Sequence, residues 1–252
     1  MRLRYIETGF NPAAFNMGLD EAILDAVAAG IQEPTLRLYG WKPRAVSIGY
    51  FQGLNDEVDI QACAERNVDV VRRVTGGGAV FHADELTYSI LLPESHPLIE
   101  GTILDSYRSL CGGVVEGLCS LGIHAEFAPL NDIVADGRKL SGNAQTRRNG
   151  CLLQHGTILL SVDVDEMFAV LLVPNEKMKG RLIQDVKARV GSVSAMLGRA
   201  FGFGEAIAVF RAGFSRALGA DLEPASPSAG ELESARRLAE SKFGAPGWTG
   251  KR

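Results

Sequence analysis

Three consecutive glycines, Gly76-Gly77-Gly78, stand between short apolar runs, and no other feature restricts the local fold so tightly. Upstream lies the run 68–71; downstream lie 79–81 and 86–92. Bounded apolar runs of this length read as buried strands, so the glycines make a turn between them. Such a turn can take left-handed backbone angles and lets a ligand approach bare N–H groups, which can cradle a phosphate or carboxylate oxygen. Arg72 and Arg73 set two permanent cations at its mouth, with a fork suited to phosphate. No Gly-Lys-Ser/Thr ending follows, which excludes a P-loop.

A second cluster runs Asp136-Gly137-Arg138-Lys139-Leu140-Ser141-Gly142-Asn143-Ala144-Gln145. Asp-Gly is a hairpin signal, here between expected strands 132–134 and 139–145. Lys139 is thereby carried on a sheet. A lysine on a strand ordinarily faces water. Gln154-His155-Gly156 falls in the run 151–160, another expected strand. His155 and His82 each read first as satisfied core histidines rather than bases.

The rest of the chain reads as a layered α/β domain. An opening strand at 2–7 precedes a helix with Asn11 as cap, Pro12 at its first position and a stripe of Phe15, Leu19, Ile23 and Val27. Strands 36–39 and 45–48 flank Gly40 to Arg44, which reads as a hairpin-like reversal. Residues 58–66 form a short helix. Thr102 and Asp105 stand at capping-box spacing at the head of a long helix, 102–121. Further helices are expected at 164–172, 192–197, 205–218 and 229–243. The basic stretches 175–181 and 187–192 read as loop, and 224–228 as the loop before the last helix. No linker divides the chain, so all 252 residues read as one domain.

Twenty-six Lys and Arg against thirty Asp and Glu give a net charge of −4. That balance argues against broad adhesion to nucleic acid or membrane. Without a signal peptide or a long apolar run, a cytoplasmic location is expected. Glu21, Asp56 and Asp132 are too scattered to assign a metal site.

Taken together, the Arg-Arg turn with its glycines, Asn131-Asp132, Lys139 to Ala144 and Gln154-His155-Gly156 resemble, in order and at compatible spacing, the motif series of the lipoate-protein ligases. The likeness runs from Phe15-Asn16-Met17-Gly18-Leu19-Asp20-Glu21-Ala22 to Trp248. It implies an α/β fold of the α+β type, a mainly antiparallel mixed sheet flanked by helices, as in the catalytic domains of biotin and lipoate protein ligases. It also implies a reaction. Lipoate is activated by ATP, with Mg²⁺ held mainly by the phosphates, to lipoyl-AMP, and the lipoyl group passes to a lysine of a carrier domain of the 2-oxoacid dehydrogenase E2 or glycine-cleavage H type. Lys139 is the expected catalytic cation. Arg72, Arg73, Thr75, Gly76, Gly77, Gly78, Ala79, Val80, Phe81, Gly142, Ala144, His155 and Gly156 are expected to bind acyl chain and nucleotide, and Tyr50 and Phe51 to wall the acyl groove. The basic stretch after residue 174 matches a segment that closes over the adenylate.

An alternative stands on the same fold: an octanoyl or lipoyl transferase drawing on an acyl-carrier protein or a preformed adenylate, without ATP. Asp84-Glu85-Leu86-Thr87-Tyr88-Ser89 resembles that branch as much as the ligases. Cysteine position separates the two, because some such transferases pass the acyl group through a thioester. Neither 126–138 nor 171–175, where those nucleophiles fall, contains a cysteine; only Cys151 is near the site in sequence. The biotin ligases' Gly-Arg-Gly-Arg type loop is missing as well. The smaller C-terminal accessory domain of many bacterial relatives has no counterpart before Arg252, so the resemblance implies a possible separate accessory chain.

Overall fold

In the computed structural model, residues 1–173 and 179–251 are described. Strand β1 (Arg2–Asn11) leads into helix α1 (Ala13–Ala28), then β2 (Thr35–Trp41) and β3 (Ala45–Ile48). Two short helices, α2 (Leu54–Glu57) and α3 (Ile60–Glu65), precede β4 (Asp69–Arg72), β5 (Val80–His82) and β6 (Glu85–Pro93). Helix α4 (Ile103–Ser120) is followed by β7 (Ala125–Ala128), β8 (Asp132–Ala135), β9 (Arg138–Arg148) and β10 (Cys151–Leu159). The remainder comprises α5 (Val164–Met167), α6 (Lys179–Arg189), α7 (Val193–Leu197), α8 (Phe203–Leu218), β11 (Asp221–Ala225), α9 (Ala229–Leu238) and α10 (Pro246–Thr249).

Eight strands form one sheet in the order β11-β1-β2-β6-β10-β9-β8-β7, and β4-β3-β5 form a second. Only β1 with its two neighbours, and β3 with β4, run parallel; the other pairings are antiparallel. The mixed, mainly antiparallel α/β architecture is therefore the one expected. One face of the large sheet buries Leu36, Leu38, Tyr88, Ile90 and Leu152 against α4 and α8. The other packs Ile6, Leu91 and Leu153 against Leu19, Ile23 and Val27 of α1, with Ala235 of α9 behind. Strand β2 is buried along its whole length and β6 up to Leu92, so both lie covered on their two faces, polar Arg37, Thr87 and Ser89 included.

Several local expectations give way to tertiary pairing. Asn11 ends β1, with its amide on Thr8 O at 2.9 Å, and Pro12 takes the N-cap; Asp69 receives the N–H of Ala13 at 3.0 Å. Strands β2 and β3 are no hairpin: both edges of β2 are taken by β1 and β6, so β3 pairs in the second sheet. Helix 164–172 shrinks to one turn because Leu171 bridges to Val58 and Leu172 N reaches Glu57 O at 2.9 Å. Residues 179–189 of the expected basic loop are helical, while Asn175 to Met178 lie outside the described residues. The loop at 224–228 begins inside β11, an edge strand, where Pro224 costs no ladder bond on the solvent side.

The Thr102 capping box forms as expected: Asp105 N donates to Thr102 Oγ1 and Thr102 N to Asp105 Oδ2. Helices α4 and α8 cross through glycines. A β-carbon on Gly113 would stand 1.9 Å from the Phe214 ring, and one on Gly213 would stand 2.6 Å from Gly113 O. Backbone cannot yield there as a side-chain tip could. Gly213→Ala should therefore cost about 1–3 kcal/mol of stability as overpacking, read as a lower urea midpoint with far-UV circular dichroism unchanged.

Candidate active site

The site is organised around Arg73, which leaves β4 just before the glycine turn and is buried. Its Nε donates to Thr75 Oγ1 at 3.1 Å. Nη1 donates to Ser47 O at 2.8 Å and Ser47 Oγ at 3.1 Å; Nη2 donates to Gly76 O at 2.9 Å and Gly78 O at 2.7 Å. These contacts engage all of its nitrogens inside the protein. Burial pushes its pKa down to about 10, so it stays a cation at neutral pH. The glycine turn is thus bound by its carbonyls to a guanidinium. Of the three glycines only Gly77, at φ +99°, needs the left-handed region. Gly49 is required for closeness, since a β-carbon there would sit 2.0 Å from Gly77 O.

Two chains of hydrogen bonds lead away from Arg73. In the first, Thr75 accepts from Arg73 and can give its own proton to His155 Nε2, 2.7 Å away. His155 Nδ1 faces Asp20 Oδ2 at 3.6 Å. Asp20 also accepts from Arg37 at 2.6 Å, Ser89 at 2.8 Å and Tyr39 at 3.0 Å. Burial alone would raise Asp20, but Arg37 outweighs it, helped by His155 and Ser89, and holds it below the usual carboxylate value. His155 is held below its ordinary value chiefly by burial, against the opposing pull of Asp20. In the second chain, Ser47 meets His82 Nε2 at 2.7 Å, and His82 Nδ1 meets Glu85 Oε1 at 2.6 Å. Trp41 stacks on the His82 ring at 4.0 Å and donates to Thr87, which donates to Glu85.

Beside this scaffold lies a cavity of about 330 Å³, at the small end for a ligand site. Met17, Trp41, Leu159 and Met167 give it apolar walls, and Val186 and Val190 close one side. Lys139 opens onto it from β9, 40 % exposed, with its ammonium 2.7 Å from Asp132 Oδ1. A bulge between Ile133 and Val134 sets the register that brings Asp132 alongside. Gly142 leaves room for the lysine to lie along the strand: a β-carbon there would meet Lys139 Cε and Nζ at 2.9 Å. Gly156 makes room for Asn143, whose amide would otherwise stand 1.9 Å from a β-carbon. Asn143 in turn donates to Asn131 O at 2.8 Å and accepts from Tyr88 at 2.6 Å.

Of the expected site residues, Arg73, Gly77, Gly78, Ala79, Val80, Phe81, Lys139, Gly142, Ala144, His155 and Gly156 line the cavity. Arg72, Thr75 and Gly76 are not part of its wall. Arg72 points the other way and holds the carbonyls of Gly49, Gln52 and Thr249, while Trp248 Nε1 donates back to Arg72 O at 2.8 Å. It clamps the C-terminal helix α10. Tyr50 and Phe51 do not wall the groove either; Phe51 is 68 % exposed, and Tyr50 packs against Trp248 with Lys251 over its ring. Ser47, Glu85 and Trp41 were missed. In sequence Ser47 reads as an ordinary strand residue, Trp41 as part of the 40–44 reversal and Glu85 as part of the 84–89 segment, and only the meeting of the two sheets shows what they touch.

None of the four cysteines lines the cavity. Cys63, Cys111 and Cys151 are buried, and burial pushes their thiols up, to about 11 for Cys63 and about 12 for Cys111. Cys119 is exposed on α4. Cys151 packs with Ile6, Leu19 and Leu153 under α1. A thiol held neutral is a poor nucleophile.

Residues 12–215 match the lipoyl protein ligase A/B catalytic domain. The chain belongs to that family. It is 39 % identical over 99 % of its length to octanoyltransferase LipM of Geobacillus kaustophilus, covering 98 % of that protein. Octanoyltransferase LipM of Bacillus subtilis is 36 % identical over the same shares. Among solved structures, the chain resembles the bi-partite lipoate protein ligase of Thermoplasma acidophilum, described with its E2 lipoyl domain. There the TM-score is 0.89 at 30 % identity, over 99 % of this chain and 97 % of that one.

These relatives overturn the expectation of an ATP-dependent lipoate ligase: the proteins matching end to end are named as transferases of octanoyl groups. The site agrees. The two arginines expected to meet a triphosphate spend their donors on protein carbonyls and hydroxyls. The names of these relatives give no support to ATP, which lipoate-protein ligase A, a solved structure of similar fold, is described as binding, and none to Mg²⁺. No helix among the described residues is long and apolar enough to cross a membrane.

Two outcomes follow from this geometry. The unfolded chain protonates His155 near 6.5 while the folded protein resists, so stability should fall as pH drops below about 6.5. His96, also held low by burial, contributes to the same window. His155→Gln should shrink the loss between pH 7.5 and 5.5, measured by urea denaturation, whereas the carboxylate part of the profile, set by Asp20 below about 3.8, should persist. Separately, Gly142→Ala should leave the melting temperature nearly unchanged, because only a flexible side-chain tip must move, yet displace the Lys139 ammonium from Asp132, read as a changed Lys139 Nζ–Asp132 distance in a crystal structure of the variant.

Proposed function

We propose that the chain is an acyltransferase. It moves an octanoyl or lipoyl group from an already activated donor, an acyl-carrier thioester or a preformed acyl-adenylate, to the ε-amine of a lysine on a lipoyl carrier domain of E2 or H type. The observation that carries this reading is a cavity in which Lys139 shares a wall with apolar Met17, Trp41, Leu159 and Met167. An apolar cavity with one cation at its edge suits an acyl chain whose carbonyl ends at the cation. The end-to-end likeness to octanoyltransferases supports the same reading.

The chemistry is consistent with those parts. A thioester or acyl phosphate needs no further activation before an amine attacks it. The barrier lies in the negative charge that collects on the carbonyl oxygen, and a pre-positioned ammonium offsets it. Asp132 and the open face of Gly142 hold Lys139 in one place, so little reorganisation is needed when that charge forms. Val186 and Val190, from α6 and the residue just after it, cover the cavity and limit water that would hydrolyse the donor.

The test is to mix the protein with octanoyl-acyl carrier protein and an E2 lipoyl domain, without ATP, and to weigh the domain by mass spectrometry. The expected result is one octanoyl group on its lysine. Transfer seen only when ATP and free acid are added would refute the proposal. Lys139→Ala should slow transfer about 10²–10³-fold, the usual loss of one charge-stabilising donor, with an unchanged melting temperature. A loss under about threefold would remove Lys139 from its role.

A further inference from the structure

The acyl-transfer reading leaves open how the acyl group is held between donor and carrier, and no cysteine wall residue is present to hold it. Tyr39, Ser47, Thr87, Thr157 and Ser161 bring hydroxyls to the cavity wall; Thr87 is committed to Glu85 and Tyr39 to Asp20. Ser47 is the one whose oxygen meets a histidine, 2.7 Å from His82 Nε2. An ionised Glu85 can only accept, so His82 Nδ1 carries its proton toward Oε1, and in the neutral ring Nε2 is then the acceptor for the Ser47 proton, while Arg73 Nη1 donates to a lone pair of Ser47 Oγ. Thr87 donates to Glu85 Oε1, and His82 Nδ1–H does the same from the other side. Serine, histidine and carboxylate thereby stand in the order and tautomer that activates a hydroxyl.

The parallel chain through His155 lacks these properties. Thr75 is fully buried and off the cavity wall, and Asp20 is 3.6 Å from the ring and already paired with Arg37. Glu85 has no arginine or lysine among its hydrogen-bonded partners, and its Oε2 is buried without any partner. No fixed cation among those partners competes with His82 for that carboxylate. Arg73, fixed 3.1 Å from Ser47 Oγ, offsets the negative charge that oxygen acquires as it attacks.

We propose that Ser47 is the nucleophile of this enzyme and carries the acyl group as an oxygen ester, with His82 as its base and Glu85 orienting His82. The inference rests on the acyl-transfer reading above. In the first half, Ser47 Oγ bonds to the donor carbonyl carbon while its proton moves to His82 Nε2. The carbon–sulfur bond of the thioester breaks, and the thiolate leaves with that proton. In the second half, the carrier amine attacks the ester carbonyl and its proton goes to His82. The carbon–oxygen bond to Ser47 breaks, and His82 returns the proton to Ser47 Oγ.

The experiment incubates the wild-type protein with octanoyl-acyl carrier protein and no acceptor, quenches within the first turnover, and maps the adduct by peptide mass spectrometry. An octanoyl group on Ser47 that survives neutral hydroxylamine, as an oxygen ester does and a thioester does not, is expected. Adding the lipoyl domain should discharge it. Ser47→Ala should abolish the adduct and slow transfer to the domain by about a thousandfold or more. If that variant fails to fold, the wild-type map decides alone. An octanoyl group on a cysteine overturns the proposal, as does a carrier domain acylated by wild type with no Ser47 adduct; in both cases the acyl-transfer reading survives. Failure of the wild type to acylate the domain without ATP overturns both.

Discussion

The guanidinium of Arg73 is the contact on which the site depends. It binds the backbone and hydroxyl of Ser47 in the small sheet, Thr75 at the turn, and two carbonyls of the glycine triplet. Through Thr75 it reaches His155 of the large sheet, and through Ser47 it reaches His82. Removing it would strand several buried acceptors, each at about 1–3 kcal/mol. A lysine could replace the charge but not the fork, because its three donors sit on one atom. The glycines serve this arrangement by letting carbonyls turn toward the cation and by letting Gly49 press against Gly77.

The second constraint is the division of labour between two cations. Arg73 is buried and saturated, and so acts on protein groups. Lys139 is exposed at the cavity edge with one carboxylate partner, and so is available to a reacting carbonyl. Both were expected to meet the same ligand. Their surroundings separate them: a guanidinium deep between two sheets gathers fixed acceptors, while an ammonium on a bulged hairpin keeps donors to spare.

What could be read from the chain follows from how local each signal is. The Thr102–Asp105 capping box, the Asp136-Gly137 turn and the apolar strands β6 and β10 were legible because neighbouring residues decide them. Most of the glycine turn and the Lys139 segment indeed share one cavity. The misplaced residues fail for tertiary reasons. Arg72 and Arg73 are adjacent and chemically alike, but on a strand successive side chains point to opposite faces, so one holds the C-terminal helix and the other the site. Tyr50 and Phe51 look like groove residues until Trp248 and Lys251 fold over the first and leave the second in solvent. The basic stretch lacked apolar periodicity because its helix buries nothing fully, resting instead against Lys139's strand through the Val190 bridge.

By itself the sequence determined the layered α/β class, the Thr102 capping box and the Asp136-Gly137 turn, the strand that bears Lys139 and membership of a lipoate-type family. These depend on residue spacing and backbone preference along the chain. The tertiary structure decided which arginine serves the site, that no cysteine reaches it, and that Ser47, His82 and Glu85 stand in line. Those facts depend on the packing of the two sheets, which brings together residues from β3, β4, β5, β6 and β10 whose separations in sequence carry no common period.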